Sequence, residues 1–177
     1  MIGPHGKDSI ERIFLAAARS RLVTDPQHGC EIVPRVGEAP QGTHLVVLTI
    51  SSMQFRLLML LHFEDDERTQ RYYVGDAARS LTECFMEFGN LCCGAMNQQL
   101  VEHFPDLGMS TPYALSSECL PYLRELKPDY TQSYALTIDH EVRLGATLCV
   151  CTQTSLDFVV SAAAVEAHDS AGELELF

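Results

Sequence analysis

Five residues in one stretch of the chain combine types and spacing that could do chemistry: Glu83, Glu87, Asn90, Gly94 and Asn97. Glu87 and Asn90 stand one helical turn apart, a separation that puts both side chains on one face within reach of a single small group. A carboxylate pairs with a cation. A carboxamide accepts and donates at once, so it can hold a water molecule in a fixed orientation. Gly94 lies one turn further on, where a missing side chain lets another backbone or side chain approach. Glu83 and Asn97 extend the row at its two ends.

The element that must position these groups is a helix over residues 80–104. Projected at about 100° per residue, Leu81, Cys84, Phe85, Phe88, Leu91, Cys92, Ala95 and Met96 fall on one broad apolar face. Glu83, Glu87, Asn90, Gly94, Asn97 and Val101 fall opposite, in an arc of about 80°. A plain solvated flank would also be polar, but three features set this row apart. No Lys or Arg occurs in residues 80–104, although solvated helix faces normally use long charged residues. The only two asparagines of the chain, Asn90 and Asn97, both lie on the row. Gly89 and Gly94 each cost about 1 kcal/mol against alanine in a helix interior. The row reads as a surface for a partner. Ser80-x-x-Glu83 is a capping-box pattern that starts the helix, and Pro105 and Gly108 follow its end.

These residues carry a resemblance. Glu87-Phe-Gly-Asn90-Leu-Cys-Cys-Gly94 resembles the Glu-x-x-Asn-x-x-x-Gly helix of the CheC/CheX/FliY family of chemotaxis phosphatases. Met109-Ser110-Thr111-Pro112 resembles the Ser/Thr-x-Pro strand start that follows this helix in CheX-type members. The motif occurs once, as in CheX-like chains. Glu83 stands where the family more often has Asp or Ser, and Ala95 where many members place Asn.

The resemblance implies a hydrolase that removes the phosphoryl group from the aspartate of a CheY-like receiver domain. In that role Asn90 would orient the attacking water, and Glu87 would pair with the receiver's lysine. Glu83, Gly94 and Asn97 would contact the partner. It implies no cofactor bound by this chain, because the Mg²⁺ sits on the receiver, and it adds a homodimer formed through the sheet. The alternative is a non-catalytic adaptor of the same fold that docks a receiver or a motor or signalling protein.

The whole chain bounds these readings. Its 177 residues are 46% hydrophobic with a mean hydropathy of +0.02, which fits one globular domain over 1–177 and no membrane span. A net charge of −12 argues against nucleic acid or an anionic membrane surface as partner. The seven cysteines are an odd number, and Cys84 and Cys92 share one apolar face with Phe88 and Ala95, so reduced, buried thiols in a cytoplasmic protein are expected. Cys149 and Cys151 lack the Cys-x-x-Cys spacing of zinc and redox sites, and the histidines show no ligand spacing, so no bound metal is expected. A cysteine enzyme built on Cys92 or Cys93 lacks a histidine nearby in sequence.

Residues 1–7 read as a flexible start, with Asp8 capping a first helix to about residue 22. Residues 31–36, with Pro34 inside, read as an edge strand. Residues 44–50 and 55–63 pair across 51–54, and the charged run 64–73, with its Asp65-Asp66-Glu67 cluster, turns into a short helix or loop. A strand over 109–115 precedes an irregular helix over 117–127, disturbed at Pro121. Strands 134–140 and 146–152 are joined through Gly145, a last helix covers 154–166, and 169–177 is an acidic tail. Strands in blocks with hairpins predict an α+β fold: an antiparallel-rich sheet with the long central helix packed on one face.

Overall fold

A computed structural model describes residues 1–36 and 42–161. Helix α1 spans Pro4–Arg21, α2 Glu67–Tyr73 and α3 Leu81–Leu100. The strands are β1 Cys30–Arg35, β2 His44–Ser51, β3 Phe55–Phe63, β4 Gly108–Met109, β5 Tyr113–Ser116, β6 Tyr130–Ile138 and β7 Val142–Thr152. A 3-10 segment, Ser117–Leu126, precedes β6. The strands make one antiparallel sheet in the order β1-β6-β7-β3-β2-β4, and β5 shares the outer edge of β2 with β4. The fold is α+β, as expected from the sequence.

The alternation along each strand decides what each face of the sheet carries. Val46, Leu48, Ile50, Leu57, Met59, Leu61 and Phe63 point to the face covered by α1 and α3 and merge with Phe14, Phe85, Cys92 and Met96 into the main core. Phe63 and Phe85 stack with ring centroids 4.0 Å apart. The opposite face buries a smaller cluster of Leu45, Val47 and Leu60, roofed by Cys119, Leu120 and Leu123 of the 3-10 segment. Among the described residues no helix is long and apolar enough to cross a membrane.

The expected edge strand with Pro34 is β1, and the β2–β3 hairpin has the expected limits to within a residue. Five expectations are corrected. Helix α1 starts at Pro4, the position where a missing N–H costs nothing, so Asp8 lies inside it and is not its cap. The start of the chain is pinned: Gly3 N donates to Leu156 O at 2.8 Å, and Gly6 N donates to Asp157 Oδ1 at 2.7 Å. A side chain on Gly3 would place its Cβ 2.5 Å from Asp157 Cγ, so this glycine serves a close approach.

Residues 154–161 are not helical but run as an extended strap along α1. Leu156 forms a parallel bridge with Ile2, Ser9 Oγ donates to Phe158 O at 2.9 Å, and Val160 N donates to Ser9 Oγ at 3.0 Å. The buried Leu156 and Val160 are spaced as on a helix, which is why periodicity misread them. Residues 162–177, with the acidic tail, lie outside the described residues. The β6–β7 turn is at Asp139-His140, whose φ angles of 47° and 61° match the twist of a tight hairpin, and Gly145 lies within β7. The strand expected over 109–115 is split at Pro112 into β4 and β5.

His62 of β3 is the buried titratable group with most to lose. It is 3% exposed, and Nε2 lies 2.9 Å from Thr147 Oγ1. Burial first, then the charge of Arg35, pulls its imidazole from the ordinary 6.5 to about 4. Between those values the unfolded chain takes up a proton that the folded chain refuses, so this contribution to stability is present above 6.5 and lost as pH falls towards 4. Denaturant unfolding of the parent should therefore weaken between about pH 7 and about pH 5 by more than that of His62→Gln. Equal losses in the two proteins would contradict the buried, neutral imidazole.

Candidate functional site

Helix α3 begins where the capping box places it. Glu83 N donates to Ser80 Oγ at 3.2 Å, while Ser80 N and Ser80 Oγ donate to Glu83 Oε2 at 2.7 and 2.9 Å. The backbone N–H of Ser80, then its hydroxyl, holds the Glu83 carboxylate below the usual carboxylate range. Glu83 faces solvent, yet its carboxylate is engaged in starting the helix.

The rotation of α3 about its axis follows from its buried side. Leu81, Cys84, Phe85, Gly89, Cys92, Cys93, Met96, Gln99 and Leu100 are buried against the sheet and α1. At Gly89 a Cβ would lie 3.0 Å from Leu48 Cδ1 and 3.3 Å from Leu61 Cδ1, so the helix backbone rides directly on β2 and β3. The apolar face differs from the projection at its rims. Leu91 is 48% exposed, and Cys93, expected off the core face, is fully buried. Burial pushes the Cys93 thiol up to about 12 and the Cys92 thiol higher still, which removes the thiolate a cysteine nucleophile needs.

The solvent side carries the row. Glu87 and Asn90 are both exposed, one turn apart. Asn90 makes no side-chain hydrogen bond to any described residue, so both ends of its carboxamide are open. Gly94 has open space where a Cβ would stand. Asn97 is half-buried, and its Oδ1 is buried without a partner among the described residues. The structure thus brings Glu87, Asn90 and Gly94 together on one accessible surface, turns Asn97 partly inward, and commits Glu83 to the cap.

One neighbour escaped the sequence. Arg79 Nη1 forms an ion pair with Glu87 Oε2 from just before the cap. Helix α3 itself has no cation, and the pairing arises because the chain before Ser80 folds back along the first two turns. The available signal was an arginine eight positions before Glu87, a spacing with no helical meaning.

The segment after α3 lies beside it. Ser110 N donates to Thr49 O at 2.9 Å and Thr49 N donates to Ser110 Oγ at 2.9 Å, so Ser110 continues the pairing of β4 with β2. Pro112, without an N–H, interrupts the ladder before β5 resumes it. The acidic run 65–67 is structural: Asp66 caps α2 through Thr69 N at 2.9 Å, Asp65 accepts from Gln70 Nε2 at 2.6 Å, and Glu67 pairs with Arg71 at 2.7 Å. Among the described residues, no group of three or more His, Cys, Asp or Glu side chains could hold a metal ion.

No family model and no curated protein matches this sequence. Solved structures do. The chemotaxis protein CheX from Vibrio vulnificus is 16% identical over 80% of this chain and 99% of its own, with a TM-score of 0.60. The CheX–CheY–BeF3–Mg²⁺ complex from Borrelia burgdorferi contains a chain 12% identical, covering 81% of this chain and 97% of that one, with a TM-score of 0.55. The chain has the CheC/CheX fold. The middle domain of FliM from Vibrio alginolyticus shares it at 10% identity, covering 83% of this chain and 93% of that one, with a TM-score of 0.53. In this chain α3 is the long helix packed on the sheet, and the row lies on its solvent side.

The two glycines of α3 should separate seat from surface. Gly94→Ala meets nothing within 4 Å and should stabilise the fold by up to about 1 kcal/mol through helix propensity. Gly89→Ala should destabilise it, because overpacking costs about 1–3 kcal/mol and exceeds that gain. Chemical denaturation of both variants reads the difference. Equal stabilisation by the two would mean that α3 does not rest on β2 and β3 at Gly89.

Proposed function

We propose that this protein acts in chemotaxis signalling on a CheY-like receiver domain, as a phosphatase that removes the phosphoryl group from the receiver's aspartate. The observation that carries the reading is the solvent row of α3: an unengaged carboxamide at Asn90, a carboxylate one turn before it and open space at Gly94. The CheC/CheX fold supports it, and so does the existence of a CheX–CheY complex among proteins of that fold.

The chemistry asks little of this chain. Phosphoryl transfer depends mainly on positioning and on stabilising charge, and the receiver brings its own Mg²⁺ and lysine. Helix α3 inserts at the receiver's active site. The carboxamide oxygen of Asn90 accepts a hydrogen bond from the water and its NH2 donates one to the water oxygen, which holds the water in line with phosphorus. The water oxygen forms a bond to phosphorus as the bond to the aspartate oxygen breaks; the aspartate leaves as a carboxylate and inorganic phosphate is released with the water's proton. Glu87 exchanges Arg79 for the receiver's lysine, at little cost because an exposed ion pair is worth about 0–1 kcal/mol. Glu83, Gly94 and Asn97 complete the contact.

Two substitutions separate docking from chemistry. Asn90→Ala should leave receiver binding nearly intact and slow phosphate release by about 10²-fold, the scale of lost positioning. Glu87→Ala should weaken binding and rate together, since it removes the pair that sets the register. Both side chains are exposed, so each change should shift stability by no more than about 0.5 kcal/mol, checked by thermal melts. An Asn90→Ala protein as active as the parent would remove the water-orienting role.

The adaptor reading has its own observation: both carboxylates of the row are already engaged, Glu83 by Ser80 and Glu87 by Arg79. Tight receiver binding with phosphate release no faster than autohydrolysis would select it. For assembly we propose a homodimer formed through the sheet. Sedimentation at high micromolar concentration should give twice the chain mass of 19.7 kDa, and a monomer there would rule the dimer out.

A further inference from the structure

On the face of the sheet away from α3, a cavity of about 470 Å³ opens between the 3-10 segment and β1, β3, β6 and β7. Its volume lies within the range of about 300–1,000 Å³ typical of small-molecule sites. Its charge is opposite to that of the chain. Among the described residues Arg35, Arg124 and Lys127 line it and no Asp or Glu does, although the sequence has 24 acidic residues against 12 basic ones.

The floor is built from buried polar groups. Ser133 Oγ lies 2.9 Å from Thr147 Oγ1, which lies 2.9 Å from His62 Nε2. When Ser133 donates to Thr147 and Thr147 donates to Nε2, the ring proton of His62 sits on Nδ1. Nδ1 is buried and has no partner among the described residues, so in that tautomer the relay ends in an unmet donor. A buried donor left unpaired is destabilising, and an incoming acceptor would relieve it. Leu120 and Leu123 supply an apolar wall beside this polar floor. The turn that closes the 3-10 segment holds Lys127 in a left-handed conformation, φ 49°, at the rim.

From this arrangement we infer that the cavity binds a small organic anion, its carboxylate or phosphate group directed at His62, Arg124 and Lys127 and its apolar part against Leu120 and Leu123. The site is separated from the α3 row by the full thickness of the sheet and does not depend on the receiver reading.

The test titrates the whole chain with phenyl phosphate and, separately, with benzoate, following backbone amide signals; phenol, which lacks the charge, is the control. The expected result is saturable movement of the Thr131, Ser133, Gly145 and Thr147 amides with a dissociation constant in the millimolar range or tighter for at least one anion, and none with phenol. Saturation by phenyl phosphate alone assigns the site to phosphate esters, by benzoate alone to carboxylates, and by both to oxyanions generally. Arg124 and Lys127 are exposed, so the double variant Arg124→Ala/Lys127→Ala should keep its fold and bind at least about tenfold more weakly. The inference is overturned if neither anion saturates these signals, if phenol matches them, or if the double variant binds as tightly as the parent.

Discussion

Helix α3 can rest on the sheet in one rotation, because at Gly89 its backbone meets Leu48 and Leu61 with no room for a larger residue to be tolerated freely. That contact fixes which side of the helix the aromatic core claims. Phe85 stacks on Phe63, Met96 and Cys92 sink between sheet and α1, and the remaining arc is left to solvent. The position of Glu87, Asn90 and Gly94 on one accessible surface is therefore a consequence of packing behind them. A helix rotated by one residue, about 100°, would bury Asn90 and expose the core. The capping box at Ser80 and Glu83 sets the other coordinate, where along the sheet the helix begins.

Much of this was legible in the sequence because the signals were local and strong. Helix α3 has a long apolar period, a capping box and a proline after its end, and the β2–β3 hairpin is two β-rich runs around a polar turn. The row on α3 stood out by composition. What sequence misread was decided by partners distant along the chain. Leu156 and Val160 carry helical spacing, but Leu156 bridges Ile2, ahead of the first helix, and Val160 bonds to Ser9 within it, some 150 positions away, which holds the strap extended. Gly145 looked like a turn and is a strand residue paired with His62 and Ala135, while the turn fell to Asp139 and His140. The Arg79–Glu87 pair follows from the path of the chain into α3, which no periodicity encodes.

The two faces of the sheet offer different groups. The α3 side presents carboxylates and carboxamides with Arg79 at one end; the far side gathers Arg35, Arg124 and Lys127 over a buried hydroxyl–imidazole relay. On a chain with a net charge of −12, both are departures from a uniform surface: the first is where the proposed receiver would dock, the second where the inferred anion would bind.

The chain has two asparagines, and both lie on the α3 row, so their side-chain carboxamide signals in a nitrogen-resolved NMR spectrum report on that surface and nothing else. Adding a phosphorylated or beryllofluoride-activated CheY-like receiver should shift or broaden the Asn90 carboxamide pair first and the Asn97 pair with it, while the amides of the outer sheet face stay in place. If the receiver binds and the Asn90 signals do not move, the row is not the docking surface and the account of α3 is wrong.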